Sequence, residues 1–81
     1  MKILVRNLSR STTEEELSEV FSKFGAIEYC NLVLDKMSGK SKGFGFVEIA
    51  DDKKALLAIV KLNGTVLGGK PIRVKKADEA V

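Results

Sequence analysis

Lys42-Gly43-Phe44-Gly45-Phe46-Val47-Glu48-Ile49 alternates with period two, the signature of a β-strand. One parity collects Gly43, Gly45, Val47 and Ile49, and the other collects Lys42, Phe44, Phe46 and Glu48. A lysine and a glutamate close the two ends of the second set, and neither is readily buried. The second set is therefore expected on the wet face of a sheet, with two phenylalanine rings beside a lysine. The opposite arrangement, an ordinary core strand with Phe44 and Phe46 inside and Val47 and Ile49 exposed, would bury both charges.

Upstream, Lys2-Ile3-Leu4-Val5-Arg6 reads as another strand, followed by a loop through Asn7, Ser9 and Ser11. Thr13 is expected to cap a helix, with Glu16 three residues later completing a capping box. Glu14, Glu15 and Glu16 suit the positive end of the helix dipole. Leu17, Val20, Phe21 and Phe24 share one helical face, and Gly25 is expected to end the helix as a left-handed residue. Residues 27–34 read as a strand with Cys30, Leu32 and Leu34 on one side and Tyr29, Asn31 and Val33 on the other. The polar stretch Asp35–Ser41 reads as a turn.

Downstream of the phenylalanine strand, which is expected to run to about Ala50, Asp51 or Asp52 can cap a second helix running to Asn63, with Gly64 as its stop. Gly68, Gly69 and Pro71 punctuate a turn, and Ile72 and Val74 alternate with Arg73 and Lys75 in a last strand. The order is βαββαβ, an α+β class with a ferredoxin-like arrangement. It predicts a four-stranded antiparallel sheet in the order 4-1-3-2, with both helices packed on one face. The other face then meets solvent. The domain is placed at residues 1–77 and a short C-terminal tail at 78–81, with looseness expected from Ala77 onward.

Composition narrows the function classes. With 81 residues there is room for one core, and 44% hydrophobic content fits a globular chain. The single cysteine, Cys30, cannot form an internal disulfide, which suits a reducing, cytoplasmic or nuclear compartment. There is no histidine, so no histidine-based catalytic dyad or typical zinc site is available, and no cofactor is implied. No apolar run approaches the roughly 20 residues of a membrane span, and the start lacks a signal-peptide core. Met1 and the compact ends suggest a complete small protein.

Two stretches resemble the RNA recognition motif family. Lys42 to Ile49 is similar to its RNP octamer, K/R-G-F/Y-G/A-F-V-x-F/Y, agreeing at seven of eight positions with Ile49 in place of the final aromatic. Ile3-Leu4-Val5-Arg6-Asn7-Leu8 resembles the partner hexamer on the first strand, with Leu4 where the family usually has an aromatic. Ala55, Ala58, Ile59, Leu62, Asn63 and Gly64 are similar to the family's second helix and its exit turn. The resemblance spans about residues 2 to 77. It implies a binding module in which Phe46 stacks a base and Phe44 contacts sugars or bases. Each base–aromatic stack contributes about 1–3 kcal/mol, so Leu4 in place of a ring implies binding weaker by about one to two decades.

Strand parity alone groups the same surface. The helix-facing side collects Ile3, Val5, Cys30, Leu32, Val47, Ile49, Ile72 and Val74. The open side collects Lys2, Leu4, Arg6, Tyr29, Asn31, Val33, Lys42, Phe44, Phe46, Glu48, Arg73 and Lys75, five basic residues against one acid. Glu14, Glu15, Glu16, Glu19, Asp51 and Asp52 lie with the helices. A net charge of +3 is thus segregated into a positive face suited to a phosphate backbone. Basic residues that only prevent edge pairing would account for the charges, but not for two phenylalanines among them. The expected partner is single-stranded RNA, whose unstacked bases are free to splay onto rings, with single-stranded DNA a second candidate. Lys42, Arg6, Arg73 and Lys75 would meet phosphates or base edges. Asn31 and Lys2 would supply base-edge hydrogen bonds, and Tyr29 either caps the sheet edge or adds a further ring.

An enzyme of this fold order would need other equipment. Acylphosphatases place a phosphate-cradling glycine loop after the first strand, where this chain has Asn7-Leu8-Ser9-Arg10-Ser11-Thr12. Metal-carrying domains of this fold need a Cys-x-x-Cys pair. The expectation is binding without catalysis. The alternative is a protein-interaction module: at 100° per residue, Leu56, Leu57 and Val60 point away from the core side of the second helix, a candidate patch for a protein partner or a dimer.

Overall fold

The chain folds as the alternation predicts. A computed structural model describes residues 1–77; the expected tail at 78–81 lies outside them. The elements are β1 (Lys2–Arg6), α1 (Glu14–Ser22), β2 (Ile27–Leu34), β3 (Ser41–Ile49), α2 (Asp52–Leu62), β4 (Val66–Leu67), β5 (Lys70–Pro71) and β6 (Arg73–Lys76). The main sheet has the order β2-β3-β1-β6 with every neighbouring pair antiparallel. This is the ferredoxin-like topology, with β6 as the fourth long strand. Along β3 burial alternates without a break: Ser41, Gly43, Gly45, Val47 and Ile49 are buried, and the residues between them are not.

The core lies between one face of this sheet and the two helices. Ile3 and Val5 of β1, Leu32 of β2, Val47 and Ile49 of β3 and Val74 of β6 meet Leu17 and Phe21 of α1 and Ala55, Ala58 and Leu62 of α2. The small alanines let α2 approach the sheet closely, and Phe21 is the largest fully buried side chain. Burial of such side chains, each contributing about 1.5–3 kcal/mol for the larger ones, is the main stabilising term in a domain of this size.

Both helix starts are set locally. The Thr13 hydroxyl accepts from the Glu16 backbone N–H at 3.1 Å, and the Glu16 carboxylate accepts from the Thr13 N–H at 3.0 Å. Asp51, not Asp52, caps α2, accepting from the Lys54 N–H at 3.1 Å. The end of α1 differs from expectation. The helix stops at Ser22 with Lys23 as its cap, and Gly25 does not take a left-handed conformation. Gly25 is small for another reason: a Cβ there would lie 3.1 Å from Lys54 Cδ and 3.4 Å from Ile49 Cγ2, where the chain passes under α2. Gly64 does terminate α2, at φ 87°, and Asn63 acts as cap rather than helix.

Three further placements differ. Leu34 shares the helix-facing parity of β2 but is 50% exposed, and the β2–β3 register shifts between Leu32 and Leu34, where the alternation is interrupted. Ala77 is buried, its N–H bonded to the Lys2 carbonyl at 2.9 Å, so order extends one residue further than expected. The stretch around Gly68 and Gly69 is a small hairpin of its own, β4 paired with β5. Two adjacent glycines between strands are a recognised hairpin signal, but the two-residue strands Val66–Leu67 and Lys70–Pro71 are too short to stand out. The β2–β3 turn is organised by Asp35, whose carboxylate accepts from the N–H groups of Ser38 and Met37 and is thereby held below the ordinary carboxyl range. Among the described residues, no helix is long and apolar enough to cross a membrane.

Candidate nucleic-acid interface

Register places the candidate residues in rows on the open face of the sheet. Asn31, Phe46, Leu4 and Lys75 are cross-strand neighbours, one from each of β2, β3, β1 and β6. Tyr29, Glu48 and Lys2 form a parallel row toward one end, and Arg6 pairs with Arg73 toward the other. The intervening row, Leu32, Gly45, Val5 and Val74, points to the helices and is buried. All ten candidate site residues therefore share one surface. Phe44, Phe46, Leu4 and Lys2 are half-buried there; Arg6, Tyr29, Asn31, Lys42, Arg73 and Lys75 are exposed.

The two rings are held together. Phe44 and Phe46 lie with centroids 6.3 Å apart and planes at 86°, an edge-to-face pair. The Lys2 ammonium sits 4.6 Å from the Phe46 centroid, within cation–π range. Glu48, the single acid of the rows, lies 3.3 Å from the Met1 amino group. Negative charge on this face is thus confined to the end where Lys2 lies, away from Arg6 and Arg73.

At that second end, loops add cations that strand parity could not reveal. β1 ends where the antiparallel strands β3 and β6 begin, so the β1–α1 loop and the β4–β5 hairpin flank the same corner. Gly43 brings β3 close to the β1–α1 loop: its φ is 85°, and a Cβ there would lie 3.2 Å from both Arg10 Nε and the Leu8 carbonyl oxygen. The Leu8 N–H donates to the Gly43 carbonyl at 2.9 Å. Arg10 Nη1 donates to the Ser41 carbonyl at 3.1 Å, which fixes the guanidinium against the start of β3. Asn7 Nδ2 donates to the Pro71 carbonyl at 2.7 Å and draws the hairpin, with Lys70, to the end of β1. Arg10 and Lys70 thus join the surface, and the sequence signal for both is topological rather than periodic.

Cys30 faces the helical layer, its thiol 3.7 Å from the Glu14 carbonyl. Burial, with the Glu14 charge adding to it, pushes the thiol from 9.0 up to about 11. At neutral pH it is a protonated packing residue rather than a nucleophile.

Residues 3–73 match the RNA recognition motif family. This chain belongs to that family. As an RNA recognition motif it is 40% identical over 77 residues to RbpB of Nostoc sp., covering 95% of this chain and 75% of RbpB. Its fold superposes on the crystal structure of RNA Binding Protein PG1 with TM-score 0.94 and 36% identity, covering 100% of this chain and 98% of the other. It is also similar to the Sxl-lethal protein/RNA complex, with TM-score 0.93 and 29% identity over 99% of this chain and 48% of that one. In the terms of the motif, Phe44 and Phe46 occupy the third and fifth octamer positions, and Leu4 occupies the hexamer position usually aromatic.

Proposed function

We propose that the chain binds single-stranded RNA on the open face of its sheet, without catalysis. The observation that carries this is the placement of Phe44 and Phe46: two half-buried rings on the uncovered face, flanked by Arg6, Lys42, Arg73 and Lys75. A sheet with no ligand to bind would gain more by keeping such rings in the core. Likeness to RNA Binding Protein PG1 and to a protein–RNA complex supports RNA as the partner.

In this reading one base stacks on Phe46, and Phe44 supports the neighbouring sugar or base. The Lys2 ammonium now over the Phe46 ring moves aside to a phosphate or a base edge, so the ring's electron-rich face is exchanged from one partner to another. Asn31 and Lys75 lie in the same row as Phe46, within reach of the edges of a stacked base. Leu4 offers an apolar surface where a second stack would otherwise form. Tyr29 lies one row away, beside Glu48, and serves the sheet edge. Unpaired single strands fit this surface because their bases can splay.

The test is a titration of the wild-type chain and of Phe46→Ala with random-sequence single-stranded RNA. The variant is expected to lose about 1–3 kcal/mol, roughly 5- to 150-fold in affinity. Equal affinity of the two proteins would rule out stacking on Phe46. A second reading is favoured by the exposure of α2: Leu56, Leu57 and Val60 are 50%, 48% and 74% exposed. These residues form an apolar outer stripe that suits docking of another protein.

A further inference from the structure

Beyond the strand rows, a concavity of about 200 Å³ opens at the corner where β1 ends and β3 begins, with Phe44 among its lining residues. Four cations line it: Arg6, Arg10, Lys42 and Lys70. Its lining includes no acid, and none of the four forms an ion pair among the described residues. Four unpaired like charges around one small hollow repel one another, and an anion is what relieves that repulsion.

The hollow is also built, not assembled from free side chains. Arg10 is anchored to the Ser41 carbonyl and stacked against Gly43. The hairpin bearing Lys70 is tied by Asn7 to the end of β1 and packs at Gly68 against Ser9 and Thr12 of the β1–α1 loop. Arg6 lines a second, adjoining concavity of about 640 Å³ together with Arg73 and Lys75. Arg6 thus forms the ridge between two basic hollows at one end of the sheet.

We propose that Arg10 and Lys70 form a phosphate-binding subsite for the backbone of the same RNA, one step beyond the aromatic platform. This rests on the RNA-binding reading and adds to it a direction. The strand leaves the platform past Phe44, its bases no longer stacked, and its phosphodiesters enter the hollow between the β1–α1 loop and the hairpin. The guanidinium of Arg10 offers a planar fork of donors suited to two phosphate oxygens, and Lys70 contributes a movable charge from the opposite wall. Both residues lie outside the surface that stacks bases, so they lengthen the footprint without reading sequence.

The experiment measures affinity against salt for the wild type, Arg10→Gln with Lys70→Gln, and Phe46→Ala. The probes are random-sequence single-stranded RNAs, one spanning the rings only and one about twice as long. Glutamine at position 10 keeps an amide donor for the Ser41 carbonyl. Lys70 is exposed, so Lys70→Gln alone serves as a variant whose folding is not at issue. On the longer RNA, the double variant is expected to lower the log–log salt slope by about 1.4, about 0.7 for each phosphate contact, and to weaken binding about tenfold at physiological salt. On the shorter RNA it is expected to match the wild type. A wild-type slope on the longer RNA, in both the double variant and Lys70→Gln, would overturn the subsite while a weakened Phe46→Ala leaves RNA binding in place. Failure of the wild type to bind either RNA would overturn both.

Discussion

Gly45 shows how one residue type can be required on the hidden side of a binding surface. It stands between the two phenylalanines of β3 and points at the helices. A Cβ built there would lie 2.5 Å from the Asn31 carbonyl oxygen, a contact with backbone that no rotamer change can relieve. Gly45→Ala must therefore push β2 from β3 or twist the row holding Asn31 and Phe46. We expect a loss of about 1–3 kcal/mol in stability, read as a lower midpoint in urea with an unchanged slope. A midpoint equal to wild type would mean that β2 moves away freely at this point. The periodic reading registered Gly45 by its parity but not by this contact, since period two says which side a residue faces and not how close the next strand lies. Gly25 shows the converse error. A glycine after a helix suggests a left-handed cap, yet its position is set by the approach of Lys54 from α2 and Ile49 from the end of β3, a tertiary contact with no local signature.

At the scale of elements, the pairing of β1 with β3 decides how many bases the platform can hold. Leu4 is the direct neighbour of Phe46 across that pair and of Lys75 across β6. Its half-buried side chain ends on the open face, so an aromatic ring fits there without entering the core. Leu4→Phe is expected to tighten binding to single-stranded RNA by up to about 1–3 kcal/mol, one further base stack. The check is the same titration used for Phe46→Ala, with thermal melting to show the fold intact. No gain in a folded variant would mean that a base does not reach β1. The strands themselves were legible because each has one wet and one dry face, which writes period two into the sequence. Both helix starts were legible because capping chemistry is local. The β4–β5 hairpin was not, being two short strands whose pairing depends on packing against the β1–α1 loop. Arg10 and Lys70 were missed for the same reason: a loop has no period, and only the antiparallel order brings these two loops to one corner.

At the scale of the whole molecule, the two outer surfaces differ in kind. The open sheet face is basic and aromatic, whereas the outer face of α2 presents an apolar stripe of Leu56, Leu57 and Val60 between Lys53 and Lys61. A stable homodimer buries about 800 Å² on each partner, with an apolar centre and few charges. Three side chains, two of them half covered already, supply only part of such a centre. The flanking lysines of two copies would also be brought together if the stripes met face to face, and like charges across an interface oppose association. The chain alone is therefore expected to sediment as a monomer of 8.8 kDa at every concentration, and as one protein copy per complex when a short RNA is bound. The stripe then remains free for a different protein, one whose acidic rim would meet Lys53 and Lys61. A mass that rises with concentration, and falls back in Leu56→Lys, would instead identify the stripe as a self-association surface.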